Sequence, residues 1–191
     1  MLVDSADIMD AFFERYRPKL TETAIGLLTP NVKVLHYPKK HELIKTNQTS
    51  GYAYLLVKGA ARSYYLHNGT EINSWFAFEN EMVGSLRNYN NLPSRETIEL
   101  LEDSTLLSFN VNGIKPLMAE NIEISNFINQ VIGEYCLYLE DKLFYTHLRS
   151  ARERYTALLA QEPNVFKRVP LTYIASFLGI SRETLSRLRA K

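Results

Sequence analysis

Apolar residues recur at helical spacing close to the N-terminus, where Ile8, Phe12 and Phe13 fall on one face. Asp4 or Ser5 can cap that helix, and Pro18 and Pro30 punctuate a helical region running over residues 4–28. The texture changes between Val32 and Val111. Short β-rich runs follow one another there: VKVLHY, AYLLVKG, ARSYYL, INSWFAF, TIELLE and TLLSF. Turn-forming clusters separate them, among them Tyr37-Pro38, Lys58-Gly59 and Asn90-Asn91-Leu92-Pro93. Asn68-Gly69 between two such runs predicts a type I′ hairpin, because both residues tolerate positive φ. Many short, evenly spaced strands predict an antiparallel β-barrel or sandwich.

Helical spacing returns from Ile114 to about His147 and carries two apolar stripes. One is Ile124, Ile128, Val131, Tyr135 and Tyr138; the other is Ile132, Cys136, Leu139 and Leu143. A helix apolar on two faces is covered on two sides. The barrel can cover one, and either another part of the chain or a twin helix from a second subunit covers the other. Residues 149–191 read as several short helices.

The last of these carry the most specific pattern, LTYIASFLGISRETLSRLRAK, over residues 171–191. Ile174, Ala175 and Leu178 give a short helix its buried face, Thr172 stands where a cap would, and Gly179 permits a tight turn. Ile180 fills the angle and Ser181 caps a second helix held by Leu185 and Leu188. Arg182, Glu183, Ser186, Arg187 and Arg189 are left to project. The expectation is a helix-turn-helix whose second helix enters the major groove. Arg matches guanine O6 and N7, and Glu accepts from cytosine N4. An acid among arginines weakens a purely electrostatic contact, so its presence favours base readout.

Charge supports that expectation. From His147 to Lys191 there are nine Lys/Arg against three Asp/Glu, while the rest of the chain is net acidic. A polyanion is therefore expected at the tail. The single cysteine, Cys136, excludes an intramolecular disulfide and a multi-cysteine metal or iron–sulfur site. His36, His41, His67 and His147 are scattered, with no His-x-His pair, which argues against a cupin-like barrel enzyme. Neither a P-loop nor a Gly-x-Ser-x-Gly elbow is present, so no enzyme and no cofactor is expected. The N-terminus lacks the basic-then-apolar order of a signal peptide, and no run approaches the ~18 apolar residues of a membrane span. A cytoplasmic location is expected. The competing reading is a partner-binding module whose basic tail contacts protein.

ISRETLSRLRAK resembles the recognition helix of the Crp/Fnr superfamily, the regulators similar to the cyclic AMP receptor protein. The resemblance implies an α+β protein in three parts. These are a jelly-roll, cyclic-nucleotide-binding-like β-barrel with N-terminal helices over 1–117, a long dimerisation helix over 118–147, and a helix-turn-helix over 148–191. It implies that Ser181, Arg182, Glu183, Ser186, Arg187, Arg189 and Lys191 meet DNA, with Arg182, Glu183 and Arg187 reading bases. It also implies a homodimer through Ile124, Ile128, Val131, Tyr135 and Tyr138, an inverted-repeat operator, and RNA polymerase as a further partner. A cyclic-nucleotide cassette carries Gly-Glu and, about ten residues on, Arg followed by a small residue. Here Gly84 is followed by Ser85, and Arg95 by Glu96, whose charge disfavours an anion. Gly84, Ser85, Arg87, Arg95 and Glu96 are thus the candidate effector residues, with cyclic AMP not expected and the effector unknown. Arg95 reads equally as a partner of Glu96 or Glu99. The wing that follows the recognition helix in the family is nearly absent; PNVFKRVP is its candidate substitute, with Arg168, Arg189 and Lys191 as phosphate anchors. The aromatic group Tyr52, Tyr54, Tyr64, Tyr65, Trp75 and Phe76 is expected in the core.

Overall fold

The computed structural model describes the backbone of residues 5–147 and 150–190, and the side chains of all of these but 142 and 144–147. Two helices open the chain, α1 (Ser5–Tyr16) and α2 (Glu22–Leu28), and a 3-10 turn (Thr29–Asn31) leads into the first strand. Eight strands follow: β1 (Val32–Tyr37), β2 (Glu42–Ile44), β3 (Tyr52–Lys58), β4 (Ala61–His67), β5 (Thr70–Ala77), β6 (Met82–Val83), β7 (Thr97–Leu100) and β8 (Ser104–Asn110). Helix α3 (Leu86–Tyr89) lies between β6 and β7. The chain ends in α4 (Val111–Glu120), α5 (Ile122–His147), α6 (Ala151–Gln161), α7 (Val165–Arg168), α8 (Leu171–Leu178) and α9 (Arg182–Arg189).

The expected closed barrel is instead a pair of four-stranded antiparallel sheets, ordered β1-β8-β3-β6 and β2-β7-β4-β5. The edge strands β2 and β6 are three and two residues long, too short to complete a continuous ladder. Both had escaped the sequence reading because such runs carry no alternation. The hairpin at Asn68-Gly69 has φ of 50° and 77°, as a type I′ turn requires.

Neighbouring strand residues point to opposite faces, so consecutive buried residues mean that both faces are covered. In β3, Tyr54 and Leu56 face the space between the sheets, while Leu55 faces the helices. In β5, Trp75 and Ala77 face inward and Phe76 outward. Three clusters result. Leu56, Trp75, Ile98, Leu100 and Leu106 fill the inter-sheet space. Phe12, Phe13, Leu55, Leu107 and Ile124 join the first sheet to α1 and α5. Phe76, Phe78 and Leu101 join the second sheet to Leu158, Ile174 and Leu185 of the C-terminal helices. The expected aromatic core is thus split: Tyr54, Trp75 and Phe76 are buried, whereas Tyr52 and Tyr65 are exposed.

Asn121 separates α4 from α5, its side-chain oxygen accepting from the N–H groups of Glu123 and Ile124. Helix α5 then runs across the first sheet. Ile124 is fully buried there, and Ile128 and Val131 pack on the same cluster. The Tyr135 hydroxyl donates to the Gly84 carbonyl at 3.0 Å, and that of Tyr138 to the Phe76 carbonyl at 3.0 Å. The stripe expected to form a dimer interface is therefore the face that α5 turns to its own chain. Its outward face carries Gly133, Cys136, Leu137 and Leu143.

Candidate nucleic-acid interface and effector region

Helices α8 and α9 are joined by three residues, each with a defined task. Gly179 adopts φ 63°, ψ 36°, a left-handed conformation that a residue with a Cβ enters only at a cost. The reversed chain lets the Ile180 N–H reach the Ala175 carbonyl at 3.0 Å. Ser181 caps α9, its hydroxyl accepting from the Thr184 N–H at 3.2 Å. The cap of α8 is Pro170, not Thr172, and no side chain satisfies that helix start. Arg154 of α6 donates from Nε and Nη2 to the Leu178 carbonyl at 3.1 and 2.9 Å, placing positive charge at the C-terminus of α8.

Leu185 is fully buried and Leu188 half-buried, so one side of α9 is fixed to the protein. Arg182, Glu183, Ser186, Arg187 and Arg189 are all exposed, as is Ser181. The Glu183 carboxyl lies below its ordinary pKa because backbone N–H at the helix start and the Ser181 hydroxyl bond to it. At neutral pH it is an acceptor between two cations. Lys191 lies outside the described residues.

The C-terminal helices are fastened to the second sheet by contacts that sequence reasoning missed. Ser176 of α8 accepts from the Asn73 N–H at 3.1 Å and donates to the Glu71 carbonyl at 3.0 Å, pairing with β5, which is an edge of its sheet. Phe177 meets Phe76 with ring centroids 5.5 Å apart. Arg62, only 2% exposed, lies 3.9 Å from the Tyr173 ring centroid. Burial alone would lower its pKa, but bonds to Glu71 and Glu99 outweigh that and raise it. PNVFKRVP is not a wing strand: its centre is α7. Nor is Arg168 free for phosphate. It donates to both carboxylate oxygens of Glu79 at 2.7 and 2.8 Å and also to Glu102. The Glu79 pKa is accordingly pulled down to about 2, mainly by Arg168.

The five candidate effector residues do not converge. Gly84 and Ser85 line a cavity of about 290 Å³ between α1, α5 and the first sheet. Ser85 is also the cap of α3, accepting from the Asn88 N–H. Arg87 instead donates to the Pro93 carbonyl at 2.7 Å, and Arg95 is exposed. The Glu96 carboxylate accepts from the Ser63 hydroxyl at 2.5 Å. Glu99, the other suggested partner of Arg95, is bound to Arg62. Among the described residues no cluster of three or more His, Cys, Asp or Glu could hold a metal. No described helix is long and apolar enough to cross a membrane.

Two facing antiparallel sheets, a short helix between β6 and β7 and a long helix laid across the first sheet define a cyclic-nucleotide-binding type of fold. Residues 34–121 match the family model of the cyclic nucleotide-binding domain. The structural neighbours include transcriptional regulators, one of them described as of the Crp/Fnr family. FixK2 from Bradyrhizobium japonicum has a TM-score of 0.71 at 18% identity, covering 83% of each chain. A Crp/Fnr family regulator from Eubacterium rectale has a TM-score of 0.70 at 21% identity, covering 91% of this chain and 83% of its own. CLP from Xanthomonas campestris, a regulator responsive to c-di-GMP, has a TM-score of 0.68 at 14% identity, covering 87% and 88%. No curated protein sequence matches the chain.

Proposed function

We propose that this protein is a homodimeric, sequence-specific DNA-binding transcriptional regulator of the Crp/Fnr type, and not an enzyme. In this reading residues 1–117 are the sensor, 118–147 the connector and 148–191 the helix-turn-helix reader. The carrying observation is the free face of α9, where Arg182, Glu183 and Arg187 are exposed over a buried Leu185. Arg182, Glu183 and Arg187 read base edges, Ser181 and Ser186 border them, and Arg189 holds phosphate. Two copies meet along the outward face of α5, where Leu137 and Leu143 are 62% and 59% exposed. Their readers then address an inverted repeat with half-sites ~34 Å apart. The protein works in the cytoplasm, with RNA polymerase as a further partner.

Cyclic AMP is not the effector in this reading. Side chains fill the space between the sheets, and Glu96 stands where the cassette would need a small residue. An anionic phosphate there would meet a carboxylate in place of a small uncharged side chain.

The test is selection of operators from random duplex DNA by the full chain, followed by anisotropy titration. Affinity for the selected sequence should fall steeply with salt as counterions are released. Arg187→Ala should relax choice at one base pair by ~1–3 kcal/mol, whereas Arg189→Ala should weaken all sequences alike. Failure of any selected duplex to outbind a scrambled one would refute the reading, and identical behaviour of the two variants would refute the assignment of reader and anchor.

A further inference from the structure

We propose that the cavity between α1, α5 and the outer face of the first sheet binds an uncharged, predominantly apolar small molecule. This site is separate from the space between the sheets, which is packed with Leu56, Trp75 and Leu106. Its floor includes Ala53, Leu55, Met82 and Phe109, and its roof includes Phe12 and Val131. It depends on no reading of the C-terminal helices, because α8 and α9 contribute nothing to its walls.

Three observations set the ligand class. The first is size: about 290 Å³ lies at the lower end of small-molecule pockets. Hollows with mainly apolar walls accept apolar guests. The second is charge. Among the described residues no Lys, Arg or His lines the cavity, while Glu81 and Glu134 do. A phosphate or carboxylate entering it would lose its hydration and gain no countercharge.

The third is that most polar side chains on the wall already have hydrogen-bond partners. Tyr135 and Tyr138 donate to the Gly84 and Phe76 carbonyls, and burial pushes both phenols far above the ordinary pKa. The Tyr89 hydroxyl meets the Met118 sulfur, and Ser85 accepts from Asn88. Glu81 accepts from the Phe78 N–H and Glu134 from Gln130. A polar guest would have to compete with these bonds for the same side chains, whereas an apolar one leaves them intact. The floor is also low, since Ala53 faces Gly84, and even a Cβ built on Gly84 would lie 3.6 Å from that of Ala53.

The experiment uses the full chain and two dyes sharing one ring system, uncharged N-phenylnaphthylamine and anionic anilinonaphthalene sulfonate. The uncharged dye should bind at a single saturable site with blue-shifted emission, and the sulfonate about tenfold more weakly or worse. Val131→Phe and Ala53→Leu fill the cavity from opposite walls, and each should weaken the uncharged dye about tenfold or more while unfolding cooperatively. In wild type the dye should move the Met82 methyl resonance and leave Met9, which packs nearby but off the wall, little changed. Non-saturable binding, equal affinity for the sulfonate, indifference to both fillings, or a still Met82 signal would each overturn the proposal. If both variants fail to fold, the methyl shifts alone decide it.

Discussion

On α9, Leu185 and Arg187 are two positions apart and do opposite work. Leu185 is fully buried among Ile174, Leu178 and Val165, so Leu185→Ala should lower stability by ~2–5 kcal/mol in urea denaturation. Arg187 is exposed and bonds only weakly along its own helix, its Nε 3.4 Å from the Glu183 carbonyl. Arg187→Ala should therefore leave the unfolding free energy in urea within ~0.5 kcal/mol of wild type while altering the proposed DNA choice. Gly179→Ala should destabilise by ~1–2 kcal/mol, because its left-handed backbone crowds a Cβ. These roles were legible in the sequence, since a Gly before a Ser cap and leucines three apart obey local rules. The tyrosines of α5 were not. Spacing marked Tyr135 and Tyr138 as apolar positions, but only the folded chain supplies carbonyls for their hydroxyls.

Between elements, the attachment of α7 and α8 to the second sheet is polar at its margins and apolar at its centre. Glu79 contributes through a pKa drawn from the ordinary 4.5 to about 2. A carboxylate whose pKa falls on folding stabilises fully above its unfolded value, and that contribution is lost as pH falls through the folded one. The loss thus runs from about 4.5 down to about 2. Since the Glu79 side chain is 35% exposed, solvent screening limits the pair to ~1 kcal/mol. Wild type should exceed Glu79→Gln by that amount in urea at neutral pH, and the gap should close as acid is added through this window. A gap independent of pH would assign the effect to packing. None of this was visible beforehand: Arg168 and Glu79 are 89 positions apart, and Arg168 read as a phosphate anchor until its carboxylates came into view.

For the molecule as a whole, the basic tail and the acidic remainder meet in one folded unit, so part of the tail's positive charge is neutralised within it. Arg168 is bound internally and Arg154 holds a helix end, whereas Arg152, Lys167 and the arginines of α9 are exposed. In the proposed dimer the outward face of α5 is the surface for a second copy. Leu137→Glu should shift the mass measured by light scattering from dimer toward monomer without lowering the thermal midpoint, because Leu137 touches solvent and not the core. A mass unchanged across concentrations would place any dimer contact elsewhere.

What the sequence settled alone is everything governed by neighbours along the chain: most strand and helix positions, the Asn68-Gly69 hairpin, the Gly179 turn and the Ser181 cap. Such features depend on backbone sterics and local hydrogen bonds, which a few residues decide. Tertiary structure decided which of two apolar stripes on α5 faces inward, whether the strands close, and which charges are consumed. It also decided that Arg95 stays outside the cavity that Gly84 lines. Those outcomes depend on distances between residues far apart in the chain, and periodicity fixes a helix's faces without saying what each will meet.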